Sequence, residues 1–173
     1  MMRHITIRRA TTADAFTLGD IGGRTFTETF GHLYPPGDLA AFLQSAHAPD
    51  AWHRRLQDTH IGVWLVLAED DTVAGYASAG PCKLPVPDLE SNAGELFQLY
   101  VRASSHGHRL GSRLLATALA WLESRGFDPL YVGVWSGNEG AQRLYGRFGF
   151  THFAEYEFPV GTQRDHEYIL RRA

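Results

Sequence analysis

Glu95-Leu-Phe-Gln-Leu-Tyr-Val101, followed by Ser104-Ser-His-Gly-His-Arg-Leu-Gly-Ser112, is the stretch on which the fold turns. The first half reads as a strand and the second as a small, basic turn. Leu110, Leu114, Leu115, Ala118, Leu119 and Leu122 then recur at helical spacing until Gly126. Leu130-Tyr-Val-Gly-Val-Trp135 is a second strand, and Asn138 to Phe148 a second helix stopped by Gly149. A strand entering a glycine-bearing turn that opens a helix aims several free backbone N–H groups and the positive end of the helix dipole at one point. That is a phosphate site, although an ordinary tight turn onto a helix has the same local pattern.

Outward from this unit, Ile5 to Arg9 is a strand, and Ala15, Leu18, Ile21, Phe26 and Phe30 mark a helix capped at Thr11 or Thr12. Gly22-Gly23 predicts a bend in its middle, and Gly31 with Pro35-Pro36-Gly37 its end. Short helices follow over Asp38 to Ala46 and Ala51 to Asp58, separated by Pro49. Ile61 to Glu69 and Val73 to Ala79 form a hairpin about Asp70-Asp71, and Pro81 to Gly94 is a surface loop. Closing strands over Thr151 to Phe158 and Asp165 to Arg171 flank Pro159-Val-Gly161. The order implies an α/β (α+β) fold, a mixed sheet with helices on both sides, in one domain over 1–173.

The composition limits the function classes. A formal net charge of −3, with no Lys/Arg run longer than two, gives no field for nucleic acid. No apolar run is long enough to span a membrane. The opening Met1-Met-Arg-His-Ile-Thr-Ile-Arg-Arg9 alternates like a strand and lacks a signal-peptide core, so a cytoplasmic protein is expected. A single cysteine, Cys82, allows no internal disulfide. Of nine histidines only His106 and His108 lie close together, inside the phosphate turn, so no metal is expected.

The element order and these segments resemble the GNAT superfamily of N-acetyltransferases. His106-Gly-His-Arg-Leu-Gly111 is similar to its Gln/Arg-x-x-Gly-x-Gly/Ala signature, with His106 in place of the Gln/Arg and Arg109 in place of the first glycine. A left-handed Arg109 would cost about 1–2 kcal/mol, and a helical first turn nothing. Asn138 with Tyr145 and Gly149-Phe150 resembles the family's Asn-x-x-Ala-x-x-x-Tyr-x-x-x-Gly-Phe segment. The resemblance implies a mostly antiparallel sheet of about seven strands, splayed between strands 4 and 5, and acetyl-CoA as co-substrate. His106, Gly107, His108, Arg109, Leu110, Gly111 and Ser112 would hold its pyrophosphate, and Leu99, Tyr100, Val101 and Asn138 its pantetheine. Tyr145 would protonate the departing thiolate, and the Leu99 N–H would stabilise the oxyanion. Glu95, eleven residues before His106, would be the base, alone or through water. Asn138 serves equally as an N-cap, Tyr145 as a core aromatic and Glu95 as a strand-end charge.

Phe26-Thr-Glu-Thr-Phe-Gly-His-Leu-Tyr-Pro-Pro36 occupies the segment that shapes the acceptor pocket in that family, which nominates Phe26, Glu28, Phe30 and Tyr34, with Glu95 and Trp135 from the strands. Phe26, Phe30 and Leu33 are also ordinary core residues of an amphipathic helix. With Val132-Gly-Val-Trp-Ser136 and Val160 to Glu167, the segment resembles the bacterial spermine/spermidine N-acetyltransferase branch. A polyamine would need several carboxylates along its path, and Glu28, Asp38 and Glu95 could supply them. Other primary amines stay open as the small-molecule partner, and exposed closing strands could pair two copies. The rival readings are a catalytically silent acyl-CoA-binding or sensing module, and a nucleotide-binding domain. The second lacks both a Gly-x-Gly-x-x-Gly and a phosphate-loop Gly-Lys-Ser/Thr.

Overall fold

The computed structural model describes residues 4–173. Residues 1–3 of the opening alternating stretch lie outside it. The strands are β1 (Thr6–Arg9), β2 (Gly62–Leu67), β3 (Val73–Pro81), β4 (Gly94–Val101), β5 (Leu130–Trp135), β6 (Thr151–Val160) and β7 (Gln163–Arg172). The helices are α1 (Ala15–Phe30), α2 (Pro36–Ala46), α3 (Pro49–Gln57), α4 (Leu110–Ser124) and α5 (Glu139–Arg147). All seven strands join one sheet in the order β1-β2-β3-β4-β5-β7-β6. Every described neighbouring pair is antiparallel except β4 with β5.

The parallel pair is short. Gly94, Glu95 and Leu96 pair with Leu130, Tyr131 and Val132, and the ladder stops there while both strands continue. Two antiparallel halves of the sheet therefore diverge from a common apex. The apolar side of α4, with Leu110, Leu114, Leu115, Ala118, Leu119 and Leu122 all buried, covers one face. Each fully buried leucine there is worth about 2 kcal/mol, enough to fix the helix beside the gap. Tyr145 of α5 joins the same core. On the opposite face Leu18 and Ile21 of α1 and Trp52 of α3 pack on Leu65 and Tyr76.

The bend expected at Gly22-Gly23 is absent, and α1 runs unbroken from Ala15 to Phe30. The glycines serve close packing: a Cβ on Gly22 would lie 2.3 Å from His47 Nδ1, and one on Gly19 2.6 Å from the His47 carbonyl oxygen. Burial of the α2–α3 junction against α1 outweighs the weak helix propensity of the pair.

Candidate active site

The gap is lined by backbone as well as side chains. The N–H of Arg102 donates to the Ala74 carbonyl of β3 (2.8 Å). Amides alternate sides along a strand, so those of Gln98 and Tyr100 also face β3, and those of Leu99 and Val101 face the gap. At the paired end the Gly94 N–H donates to the Pro129 carbonyl (3.0 Å), which sets the even-numbered amides of Gly94 and Leu96 toward β5 instead. The parity changes at a bulge: Ser78 pairs with Gln98 but Ala79 with Leu96, so Phe97 is the extra residue. Without Phe97 the Leu99 N–H would point into the β3–β4 ladder.

Beyond β4 lies the turn. Gly107 (φ 86°) and Arg109 (φ 57°) are both left-handed, so Arg109 takes the costlier of its two expected conformations. The first bond of α4 is Arg113 N–H to the Arg109 carbonyl (3.1 Å), and no side chain caps the helix. The amides of residues 107–112 thus have no protein acceptor among the described residues. The His106 imidazole bonds the Val101 carbonyl (2.9 Å) and His108 the Ser105 carbonyl (3.2 Å), which folds both rings onto the turn that carries them. Orphan amides at a long helix's positive end fit a diphosphate, as the turn required of a coenzyme A site.

The gap opens into a cavity of about 640 Å³ that runs under α1 and α2. Of the residues nominated for the coenzyme, Leu99, Tyr100, Val101, His106, Asn138 and Tyr145 line it, and of those nominated for the acceptor, Phe26, Phe30, Tyr34 and Trp135 do. Asn138 caps α5, its side chain accepting the Ala141 N–H (3.2 Å), and still faces the cavity. Tyr145 is buried, which raises its phenol pKa far above the ordinary value and keeps the proton on it. The Tyr34 phenol donates to the buried Asp165 carboxylate, and burial with that bond pushes its pKa up as well.

Three nominated carboxylates do not line this cavity. Glu28 sits on the outer side of α1, where it accepts the Ala103 N–H (3.0 Å) and ties the helix to the segment after β4. Asp38 packs under the β6–β7 turn against Gly161 and Thr162. Glu95 lies at the paired end of β4 beside Tyr131 and accepts the Lys83 N–H (2.8 Å). Its pKa is pushed up to about 7 by burial, partly offset by that N–H and the Lys83 charge. Tyr131 is turned away: its hydroxyl donates to Glu90 (2.9 Å) and accepts from Arg171 (3.2 Å).

The carboxylate that does reach the cavity is Glu167 of β7, opposite Trp135 of β5. Burial, then the neighbouring Asp165 charge, raises its pKa to about 7. Tyr156 of β6 stands beside it, its phenol over Gly133, where a Cβ would come within 2.7 Å of the oxygen. Burial raises the phenol pKa of Tyr100 and of Tyr156, with smaller contributions from Tyr145 and then Glu167 at Tyr100, and from Glu167 at Tyr156. Four side chains from β4, α5, β6 and β7 therefore converge at the mouth of the gap. Sequence reading missed Tyr156 and Glu167. The signal was the period-two set Asp165, Glu167, Ile169, in which Asp165 and Ile169 are buried and Glu167 shares their face.

Among the described residues no group of three His, Cys, Asp or Glu could hold a metal ion, and no helix is long and apolar enough to cross a membrane. Residues 26–150 match the model of the acetyltransferase (GNAT) family. The chain is similar to an uncharacterized N-acetyltransferase of Lactobacillus delbrueckii subsp. lactis, 29% identical over 88% of each chain. It is 30% identical to the phosphinothricin N-acetyltransferase of Streptomyces viridochromogenes over 86% of this chain and 75% of that one. The PaiA N-acetyltransferase of Thermoplasma acidophilum, solved in complex with coenzyme A, superposes with a TM-score of 0.78 at 17% identity, over 98% of each chain.

Proposed function

The chain belongs to the acetyltransferase (GNAT) family, and from that premise we propose that it transfers an acetyl group from acetyl-CoA to a primary amine in the gap between β4 and β5, by direct attack. The observation that carries the reading is the pair of inward-facing amides, Leu99 and Val101, together with the unpaired amides of residues 107–112 in the turn that follows the same strand. Acetyl-CoA supplies an activated thioester. The 107–112 amides hold its diphosphate, and Val101 and Asn138 bond the pantetheine arm. The Leu99 N–H donates to the acetyl oxygen as negative charge gathers there.

Glu167 receives the acceptor ammonium and takes its proton, because it is the carboxylate that lines the cavity. With a pKa near 7 it is divided between acid and base at neutral pH, which suits a proton acceptor. As the amine nitrogen bonds the acetyl carbon and the carbon–sulfur bond breaks, Tyr145 gives its proton to the leaving sulfur, and the surplus proton of the new amide nitrogen restores the phenol. Cys82 takes no part: its thiol is pushed up to about 11 by burial, so it stays protonated. A polyamine acceptor would rest on Glu167 alone, since Glu28, Asp38 and Glu95 lie off the cavity, so the reading we favour is a single amine on an apolar body, held by Phe26, Phe30 and Trp135.

Free-thiol release from acetyl-CoA over an amine panel tests the reading. Release that depends on added amine supports it; binding of acetyl-CoA without release from any amine removes it. Because Glu167 must be ionised to act, the rate should rise with pH through about 7, and Glu167→Gln should lower the rate and abolish that limb. A limb unchanged in the variant would take Glu167 out of the proton transfer.

A further inference from the structure

The cavity does not end at the aromatic side chains. Past Phe42 it reaches His47 and Arg55, under the junction of α2 and α3. Arg55 stacks over Trp52, its guanidinium carbon 4.6 Å from the ring centroid, and donates through Nη2 to the Ala46 carbonyl (3.0 Å). Nη1 is shielded from solvent and has no acceptor. No carboxylate among the described residues pairs with Arg55, and its pKa is lowered by burial, which the Tyr76 phenol beside it offsets only in part. A cation removed from water with an unused donor is costly unless something anionic meets it. His47 does not: burial, then the Arg55 charge, pushes its pKa down to about 4, so it is neutral at pH 7.

Resting on the acetyltransferase reading and extending it, we propose that the acceptor is an elongated amine carrying a carboxylate at its far end, with the amine at Glu167 and the carboxylate on Arg55. Arg55 stands over β3, beside Trp52 and Tyr76, and the amine meets the acetyl group between β4 and β5. About one and a half strand spacings, roughly 7 Å and widened by the splay between β4 and β5, separate the ends. The wall between them is aromatic, with Phe26 and Phe42 in contact at 4.5 Å between ring centroids. It suits an uncharged, apolar span. A diamine of the same length would set its second ammonium against Arg55.

The test is a homologous series of ω-amino carboxylic acids, with 1-aminoalkanes and α,ω-diamines of matching length, followed by thiol release. The acids should be preferred over the alkylamines by tenfold or more in kcat/KM at about six to eight methylenes, with the diamines poorest, and Arg55→Gln should bring the acid-to-alkylamine ratio close to one. Calorimetry with ω-acetamido carboxylates against N-acetylalkylamines reads the same preference without turnover. Equal or reversed preference in the unaltered protein, or a ratio that survives in a folded Arg55→Gln, overturns the proposal and leaves the acetyltransferase reading intact. Amine-independent behaviour across the whole series would instead remove that underlying reading, while the calorimetry still decides the role of Arg55.

Discussion

Glu95 is a buried acid whose carboxyl is forced up from 4.5 to about 7, chiefly by desolvation. In the unfolded chain the same group ionises near pH 4.5. Between those values the folded protein holds a proton that the unfolded chain has released, so stability falls as pH rises through the window and levels off above about 7. A shift of this size, at about 1.4 kcal/mol per unit, amounts to about 3 kcal/mol at pH 8. Glu95→Gln removes the ionisation and keeps an oxygen to accept the Lys83 N–H. The variant should stand within about 1 kcal/mol of the original protein at pH 5 and exceed it by as much as about 3 kcal/mol at pH 8. Glu167 carries a similar shift, so the variant should retain its own shallower decline. Urea unfolding at pH 5, 6, 7 and 8 measures this. Parallel stability curves for the two proteins, or a Glu95→Gln that is the less stable at pH 8, would refute the reasoning.

Removal of the Tyr145 hydroxyl in Tyr145→Phe should lower kcat by about 100-fold and leave acetyl-CoA affinity within a few-fold, as measured by calorimetry beside steady-state kinetics; equal loss of both would make it a packing residue. In Gly133→Ala the new methyl meets the Tyr156 phenol at 2.7 Å and Leu84 Cδ2 at 3.2 Å. Displacement of Tyr156 from beside Glu167 should then reduce turnover more than it reduces melting temperature. Gly22→Ala drives a methyl to 2.3 Å from His47 Nδ1, in a buried contact with little room to yield. It should cost about 1–3 kcal/mol in denaturant unfolding, and a cost near zero would mean that α1 and the α2–α3 junction are loosely packed.

Most of the fold was legible because its signals are local. Leu130–Trp135 is a strand with the bounds its apolar run implies, and the face of α4 follows from leucines at helical spacing. Glu28 could have been excluded from the pocket on the same grounds. Phe26 and Phe30 are four apart and share a helix face, and a residue midway between them points to the other side. The Phe97 bulge was not legible, since it depends on how β3 pairs with β4 and leaves no mark on the apolar pattern. Tyr156 lies between Glu155 and Glu157 on a strand with an exposed-looking alternation, and it is half-buried because Leu84 and Val86 of the loop before β4 pack against its side of the sheet. Arg55 reads as the polar side of a short helix. It enters the cavity wall only because His47 and Trp52 are buried beside it. In each case the missing information was which distant element covers which face.

The central claim concerns where the coenzyme lies, and a crystal structure of the acetyl-CoA complex tests it most directly. The account predicts the diphosphate within hydrogen-bonding distance of amides from residues 107–112, the thioester oxygen on the Leu99 N–H, and the sulfur beside the Tyr145 hydroxyl. Coenzyme bound elsewhere, with the space between β4 and β5 closed or filled by side chains, would contradict it.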